Sequence, residues 1–331
     1  SSLLQPLLGY ISDKLNQPRL IAAGTLLSAC STGMMGFVSS YESLLICATL
    51  AGVGSSIFHP EGAKIMNRLG GGKKGKAMGT FAIGGSSGFA FGPLFAGAIA
   101  YTVGAHGLAA VTVAGIIIST VLFLLMPRIV AHAQTIDQAV ATENPTVAAQ
   151  PLKNYWKYFG ILFIIILSQS VNFRVINAFI PVFWTHELGT SPEQGSFALT
   201  VFFSIGIFMT YIGGLLGDKY GPIKIIRLSL LIWLPSMFLL TQVPEFSVTI
   251  MMPLAYLILL MIGAAKAISY SPVIVLGQTY LAKSIGFASG ITLGVSQTIG
   301  GIIAPVVGNL ADTYSLPAAM MTLVPFLIVG L

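Results

Sequence analysis

Apolar stretches of 18 residues or more recur along the whole sequence. Each is long enough to cross the roughly 30 Å hydrocarbon core of a bilayer as a helix. Only 8% of the 331 residues are Asp, Glu, Lys or Arg, whereas a soluble domain carries about 25%. The short alternation typical of a membrane β-barrel is missing from the stretches. The sequence therefore excludes a soluble fold and predicts an all-α membrane protein.

Hydrophobic runs between polar breaks predict about eleven spans, with boundaries good to about four residues. They lie near 1–12, 20–38, 43–66, 77–101, 107–127, 155–184, 196–216, 225–243, 249–275, 286–310 and 317–331. The first is only a tail and the last is short. We therefore interpret both as incomplete spans.

The turns between the spans alternate in charge. Of the 16 basic residues, 14 lie at every second turn, and the opposite turns hold five acidic residues and no Lys or Arg. Because basic loops of membrane proteins stay in the cytoplasm, we expect the basic side to be cytoplasmic. The two remaining basic residues, Arg174 and Lys266, fall inside spans.

The sequence also repeats itself. The pattern Gly9-x3-Asp13-Lys14-x4-Arg19 recurs as Gly214-x3-Asp218-Lys219-x4-Lys224. The longest polar stretch separates the two copies and contains two Asn-Pro or Gln-Pro pairs, as a linker does. We therefore predict an N-terminal helical bundle over 1–127, a cytoplasmic linker over 128–154 and a C-terminal helical bundle over 155–331.

The repeat also gives an expectation for the ends of the chain. Mapping the second half onto the first places the start of the first half about 50 residues before Ser1. We expect the chain to be a fragment that lacks its first span and part of its second. Restoring these pieces gives two bundles of six helices.

Two six-helix bundles with a linker are the plan of the major facilitator superfamily, which the chain resembles. The duplicated motif around Asp13 is similar to the superfamily's loop motif, although Asn16 stands where the first copy usually has glycine. The run Phe58-His59-Pro60-Glu61-Gly62, with residues 1–10, resembles the fosmidomycin resistance branch. The resemblance implies the major facilitator fold, with two parallel halves that rock around a site at the middle of the membrane.

The resemblance further implies a secondary active transporter, namely a proton-coupled antiporter that exports a small drug such as fosmidomycin by alternating access. Its expected partners are a small-molecule substrate, protons and membrane lipid. We expect a monomer in the bacterial inner membrane, with the linker and basic loops in the cytoplasm. We expect no cofactor, metal or nucleic acid, and no enzymatic activity, because no nucleophile, base and oxyanion donors cluster in the sequence.

The loop motif suggests a latch. A carboxylate such as Asp13 accepts bonds from exposed N–H groups at the start of a neighbouring helix, and such contacts can form in one gate state and break in the other. Gly9, Lys14 and Arg19, and Gly214, Asp218, Lys219 and Lys224 in the second copy, complete this gating motif. The alternative is a turn that only anchors the loop in water.

The fifth span carries Gly79-x8-Gly88-x3-Gly92-Pro93-x2-Ala96-Gly97, which is similar to the superfamily's antiporter motif with one glycine replaced by Ala96. Small residues at this spacing let helix backbones approach closely, and proline bends the helix. The motif favours antiport over uniport or symport. The alternative is ordinary packing of small residues.

Charged or titratable groups inside a span are site candidates, because they are costly in hydrocarbon. His59 shares a helix face with Gly52, Ser55 and Ser56 and can exchange protons near neutral pH, or it can bond a carbonyl for packing. Glu61 either carries the transported proton or pairs with Lys64, three residues on.

The two cations within spans predict a substrate site. Arg174 is about 15 Å inside its span, on one face with Ser170 and Asn177. Lys266 lies four residues before Tyr270. Two cations that face a central cavity would suit an anionic solute such as a phosphonate, or each neutralises an acid on the first helix.

Two other functions remain open from the sequence. An importer or symporter of small organic anions would share this fold, and the direction of accumulation under a proton gradient distinguishes it. A membrane sensor that transports nothing would need a signalling domain, and the soluble stretch is only about 27 residues long.

Overall fold

The computed structural model describes residues 2–143, 145 and 151–331, most of them helical. The α-helices are α1 Gln5–Leu15, α2 Leu20–Met34, α3 Tyr41–Leu69, α4 Lys74–Val103, α5 Ala109–Glu143, α6 Trp156–His186, α7 Pro192–Tyr220, α8 Pro222–Gln242, α9 Val248–Tyr280, α10 Ile285–Gly290, α11 Ser296–Thr313, α12 Leu316–Met321 and α13 Val324–Val329. Short 3-10 turns cover Ser2–Leu4, Ala105–Leu108 and Val243–Glu245, and a π-helical turn, Ile291–Val295, joins α10 to α11.

Eight helices in the described ranges are long and apolar enough to cross a membrane, and two shorter apolar helices, Leu20–Met34 and Leu316–Val329, accompany them. Most predicted span boundaries agree with these helices to within four residues. Inside hydrocarbon, the N–H and C=O groups of the backbone must hydrogen-bond to each other, and a helix satisfies them within one segment. A long apolar stretch therefore predicts a helix. The all-α membrane fold is confirmed.

Serine caps and N-terminal prolines set several helix starts. The Ser40 hydroxyl accepts from the Ser43 N–H at 3.1 Å, and Ser191 and Gln194 form a reciprocal capping box before α7. Pro192 and Pro222 stand in the first turns of α7 and α8, where the missing N–H costs nothing. These signals make the turns at 40, 191 and 221 readable from the sequence.

The segment predicted as a linker, 128–154, is helical over its first part. Helix α5 passes through Pro127 and ends at Glu143. Residues 131–143 are rich in alanine, which favours helix even where the sequence is polar. Residues 144 and 146–150 lie outside the described ranges. The division of the chain at this segment stays a prediction.

By contacts the chain forms two compact units. The first comprises Ser1–Ala77, Phe91–Tyr155 and Gly277–Val295. In it, α2 packs on α3 and α5, and α1 packs on α10. Gly24 and Gly54 lie where α2 and α3 meet: a Cβ at Gly24 would be 2.7 Å from the Gly54 carbonyl oxygen. Small residues therefore let these two helices approach at backbone contact.

The second unit comprises Met78–Ala90, Trp156–Leu276 and Ser296–Leu331. Helix α6 lies at its centre and packs on α7, α11 and α13. Its buried core includes Phe183, Trp184 and Trp233. A Cβ at Gly300 of α11 would lie 2.6 Å from the Ser170 carbonyl oxygen, so α6 and α11 also touch at their backbones.

The glycine contact gives a stability prediction. A Cβ at Gly54 would lie 2.5 Å from the Ser28 N–H nitrogen, which belongs to backbone and cannot move aside. We expect Gly54→Ala to cost about 1–3 kcal/mol and to lower the Tm of the detergent-purified protein by several degrees.

Gly84→Ala is the matched control, because Gly84 is exposed and no described atom would lie within 4 Å of its Cβ. This variant should melt at or slightly above the parent temperature, since alanine is the better helix former. Equal Tm values for the two variants would contradict the packing we describe.

Candidate functional site

In the first unit, the Asp13 carboxylate lies at the start of helix α10. It accepts the Gly286 N–H at 2.9 Å and the Phe287 N–H at 3.0 Å. These are N–H groups of a first helical turn, which have no acceptor in their own helix and carry a partial positive charge. One carboxylate therefore satisfies two backbone donors of a distant segment.

Two glycines let helices α1 and α10 come close enough for this contact. A Cβ at Gly9 would lie 2.6 Å from the Gly286 carbonyl carbon, and one at Gly286 would lie 2.6 Å from the Gly9 carbonyl oxygen. Any side chain at either position would push the helices apart and carry Asp13 away from its donors. The glycine that opens the loop motif is thus required by packing.

A buried charged cluster adjoins Asp13. Glu61 of α3 is fully buried, accepts a hydrogen bond from the Ser12 hydroxyl and forms a 3.0 Å ion pair with Lys64. The Lys64 ammonium also donates to the Ser12 carbonyl oxygen at 3.1 Å. Ser12 precedes Asp13, so the Glu61–Lys64 pair is bonded to the same turn of α1 as the Asp13 contact.

This cluster opens into a cavity of about 350 Å³ within the first unit. Its charged lining combines two carboxylates, Asp13 and Glu61, with three cations, Lys64, Arg68 and Lys283. Arg68 in turn pairs with Asp137 of α5 at 2.8 Å. The residues of the predicted linker thereby contribute to the polar end of the first unit.

A second buried contact in the first unit was missed by sequence reasoning. The Asn67 amide donates to the Gln278 side-chain oxygen at 2.7 Å, and the Gln278 amide donates to the Ser289 hydroxyl at 2.9 Å and the Ala63 carbonyl at 3.2 Å. Gln278 is 1% exposed. Asn67 and Gln278 each carry an amide near the end of an apolar span, which marks them as candidates for a buried contact. Their pairing could not be predicted, because they are 211 positions apart in the sequence.

The basic residues of the first loop motif lie on aromatic rings. The Lys14 ammonium is 4.6 Å from the Tyr10 ring centroid, and the Arg19 guanidinium is 4.8 Å from the Phe123 centroid. Both side chains are exposed. Tyr10 belongs to the same helix as Lys14, whereas Phe123 belongs to α5, so the Arg19 contact anchors the turn to another helix of the first unit.

The second copy of the motif lies in the other unit. Gly214 is buried, whereas Asp218, Lys219 and Lys224 are exposed, and Lys219 lies over the Tyr220 ring at 4.9 Å. The gating role of both copies stays a prediction.

The glycines of the predicted antiporter motif differ in packing. A Cβ at Gly79 would lie 3.1 Å from the Tyr211 Cα, so α4 and α7 approach closely there. For Gly88, Gly92 and Gly97, no described atom would lie within 4 Å, and all three are exposed. Among the described residues, close approach is therefore found at Gly79 and not at these three positions. The side chain of Pro93 lies outside the described part, and the motif's link to antiport stays a prediction.

His59 is half-buried on α3. Its ring meets that of Phe58 edge to face, with 5.5 Å between centroids. No hydrogen bond to its imidazole is found in the described part of the chain, so the expected alternative, a histidine bonded to a carbonyl, is not seen.

Arg174, in the second unit, is exposed, and its Nε–H donates to the Gln297 side-chain oxygen of α11 at 3.1 Å. Asn177, one turn further along α6, is half-buried. The sequence did not predict Gln297 as a partner, although a glutamine within an apolar span was a signal. No ion pair to Arg174 is found among the described residues.

Lys266 lies between two aromatic rings of the second unit. Its ammonium is 4.7 Å from the Tyr270 centroid and 4.9 Å from the Phe173 centroid of α6. Tyr270 was expected nearby from its spacing, and Phe173 was not. In the described ranges no carboxylate pairs with Lys266 either. Arg174 belongs to α6 itself, and Lys266 contacts Phe173, the residue before it in that helix.

In the described part of the chain, His, Cys, Asp and Glu side chains form no group of three that could hold a metal ion. Cys30 and Cys47 are both free thiols. The polar groups on which the candidate sites rest are therefore the carboxylates, cations and amides described above.

Comparison with known proteins agrees with this architecture. The sequence model of the protein family Major Facilitator Superfamily matches residues 1–305 of the chain. The fosmidomycin resistance protein of Escherichia coli (strain K12) is 29% identical over 323 residues, which cover 96% of this chain and 76% of that protein. YfnC of Bacillus subtilis (strain 168), an uncharacterised MFS-type transporter, is 28% identical over 334 residues, which cover 100% of this chain and 80% of that protein.

Solved structures of transporters show the same fold. The human organic anion transporter MFSD10 (TETRAN) has a TM-score of 0.80 at 14% identity, covering 99% of this chain and 79% of that one. The Escherichia coli fucose:proton symporter FucP has a TM-score of 0.72 at 14% identity, covering 99% and 85%. The expected major facilitator fold is confirmed. The expectation that the chain is not an enzyme is confirmed as well, because the family model and the relatives are those of transporters. With the family model matching most of its length, the chain belongs to the Major Facilitator Superfamily of membrane transporters.

Proposed function

We propose that this transporter is a proton-coupled antiporter that exports a small anionic drug such as fosmidomycin by alternating access. Two cations, Arg174 and Lys266, carry this proposal. Both lie within membrane-spanning helices, and neither has a carboxylate partner among the described residues. A cation in hydrocarbon is costly unless a counter-charge compensates it. A phosphonate supplies that charge, and the similarity to the fosmidomycin resistance protein supports this class of substrate.

The gate that we propose is the contact of Asp13 with α10. Its bonds to the Gly286 and Phe287 N–H groups join two segments that lie 273 and 274 positions apart. Asn67 and Gln278 add a second polar contact between α3 and α9. We propose that these contacts break when the basic side, which we assign to the cytoplasm, opens.

The proton pathway that we propose uses His59 and Glu61. His59 is half-buried and Glu61 fully buried on one helix, and one Glu61 oxygen, Oε1, lacks a hydrogen-bond partner in the described structure. Protonating Glu61 would remove the charge that holds Lys64. Glu61 and Lys64 are both hydrogen-bonded to Ser12. The loss of charge at Glu61 therefore acts on the turn of α1 that carries Asp13.

Export is tested in bacteria that lack their own fosmidomycin exporter. We expect expression of the chain to raise the inhibitory concentration of fosmidomycin several-fold and to lower its accumulation in cells. A protonophore should abolish both effects. Increased accumulation on expression would instead identify an importer of organic anions and would contradict export.

The cations give the first mutational prediction. Arg174→Gln and Lys266→Gln each remove the charge that would hold the anion, so we expect export to fall about tenfold or more, as for the loss of a charged hydrogen bond. The measurement is fosmidomycin accumulation at matched expression. Arg227→Gln and Lys157→Gln are controls, since both are exposed cations near the starts of α8 and α6, at the basic turns and away from Arg174 and Lys266 in the sequence. Unchanged export in the first two variants would remove the basis of the proposal.

The gate gives the second prediction. Asp13→Asn keeps an acceptor but loses the charge that strengthens both N–H bonds, so we expect about a tenfold loss of export without loss of protein. Asp312→Asn, at an exposed carboxylate, is the control and should export normally. If both variants behave alike, Asp13 only anchors its loop.

The third prediction separates the two roles of Glu61. Glu61→Gln alone leaves Lys64 unpaired, which destabilises the protein, whereas Glu61→Gln with Lys64→Gln removes both charges. We expect the double variant to fold and to exchange drug for drug in proteoliposomes, but to lose accumulation driven by a pH gradient. Gradient-driven accumulation equal to that of the parent would show that Glu61 is only an ion-pair partner.

A further inference from the structure

Four phenylalanine rings of the second unit form a connected row. Phe89 and Phe203 stack with 6.0 Å between centroids and 8° between planes. Phe203 meets Phe173 edge to face at 6.2 Å, and Phe202 contacts both Phe173 and Phe203, at 6.1 and 5.4 Å. The row therefore joins helices α4, α7 and α6.

Exposure rises along this row. Phe202 is 3% exposed and anchors the row in the core, Phe173 and Phe203 are half-buried, and Phe89 is 69% exposed. Partly exposed rings held at fixed geometry by their neighbours are suited to stack another ring, with a preferred centroid separation of about 4.5–7 Å. The phenylalanine row is thus a ready surface for a flat aromatic group.

Lys266 lies at the inner end of the row. Its ammonium sits over Phe173, which is itself a member, and over Tyr270. Ring faces attract a positive charge but do not neutralise it. Arg174, the neighbour of Phe173, holds Gln297 with one of its five N–H groups and has a planar fork suited to carboxylates and phosphonates.

A buried amide beside Lys266 also lacks a partner. Gln169 lies one helical turn before Phe173 and is 6% exposed. Its side-chain oxygen, at 3.3 Å, and the Lys266 carbonyl oxygen, at 3.1 Å, share the single hydrogen of the Ser269 hydroxyl. The Gln169 Nε2 donor, placed by these bonds between α6 and α9, has no partner in the described part of the chain. A buried donor of this kind is costly unless an acceptor reaches it.

From these four features we infer that the site selects organic anions that carry an aromatic ring. The anionic group lies at Lys266 and Arg174 and accepts from Gln169, and the ring lies parallel to Phe203 and Phe89 and meets Phe173 edge to face. This inference rests on the proposed function, since it uses the same two cations. It differs from it in predicting that an aryl anion binds better than a compact one.

The test is equilibrium binding of two matched probes, phenylphosphonate and methylphosphonate, to the purified chain. We expect phenylphosphonate to bind more tightly, and Phe203→Leu to weaken it about three- to tenfold because one stacked ring pair is lost. The affinity for methylphosphonate should not change in this variant. Lys266→Gln should weaken both probes.

Two further variants guard the test. Phe89→Leu removes an exposed ring at little risk to folding and should weaken phenylphosphonate alone. Phe208→Leu changes an exposed phenylalanine on the same helix as Phe203 and should leave both affinities unchanged. Equal affinities of the two probes, or equal losses in Phe203→Leu, would overturn the inference.

Transport assays keep this inference separate from the proposed function. Tighter binding of phenylphosphonate without any proton-coupled flux would support the aromatic site and contradict antiport. Proton-coupled flux of methylphosphonate with no preference for the aryl probe would support antiport and overturn the aromatic site.

Discussion

A charge in hydrocarbon needs compensation, and this constraint governs where nearly every ionisable group of the protein lies. Of the 16 basic residues, 14 lie at every second turn, which is the same predicted side of the membrane. Glu61, the fully buried carboxylate in the first unit, is compensated by Lys64 and Ser12. Arg174 and Lys266 are compensated within the described structure only by an amide and by aromatic rings. The least compensated charges therefore mark the place where we propose that an anion binds.

The same constraint links the gate to the buried cluster. Asp13 offsets the positive start of α10, and it can do so because Gly9 and Gly286 allow backbone contact. Ser12 connects this contact to Glu61 and Lys64. A change of charge at Glu61 would thus be felt one residue from the carboxylate that holds α10. In the proposed mechanism this is how a proton moves the gate.

The sequence predicted the helices well because apolar length and capping residues determine them locally. Spans such as Trp156–His186 and Pro192–Tyr220 were readable within four residues. The polar stretch after Arg128 was not, since alanine-rich sequence forms helix without being apolar. Of the motif's glycines in the described structure, Gly79 meets a neighbouring helix and Gly88, Gly92 and Gly97 do not, because a glycine pattern permits close approach without specifying which helix is near.

Side-chain partners were the hardest to predict. The sequence named Asp13, Glu61, Arg174 and Lys266, yet it gave none of the partners far along the chain, namely Gly286, Ser12, Gln297 and Phe173. These pairs depend on which helices are neighbours, which a single sequence does not contain. Local pairs at helical spacing are easier to read: the sequence offered Glu61 with Lys64 as one of two alternatives and placed Lys266 four residues before Tyr270, and both pairs are in contact.

The direction of proton movement during drug efflux tests the central claim most directly. The purified chain would be reconstituted in vesicles that contain fosmidomycin and a pH-sensitive dye, and the drug outside would be diluted. Antiport predicts that the vesicle lumen acidifies as the drug leaves and that drug-free vesicles show no such change. An unchanged lumen, or one that becomes alkaline because protons leave with the drug, would contradict the account.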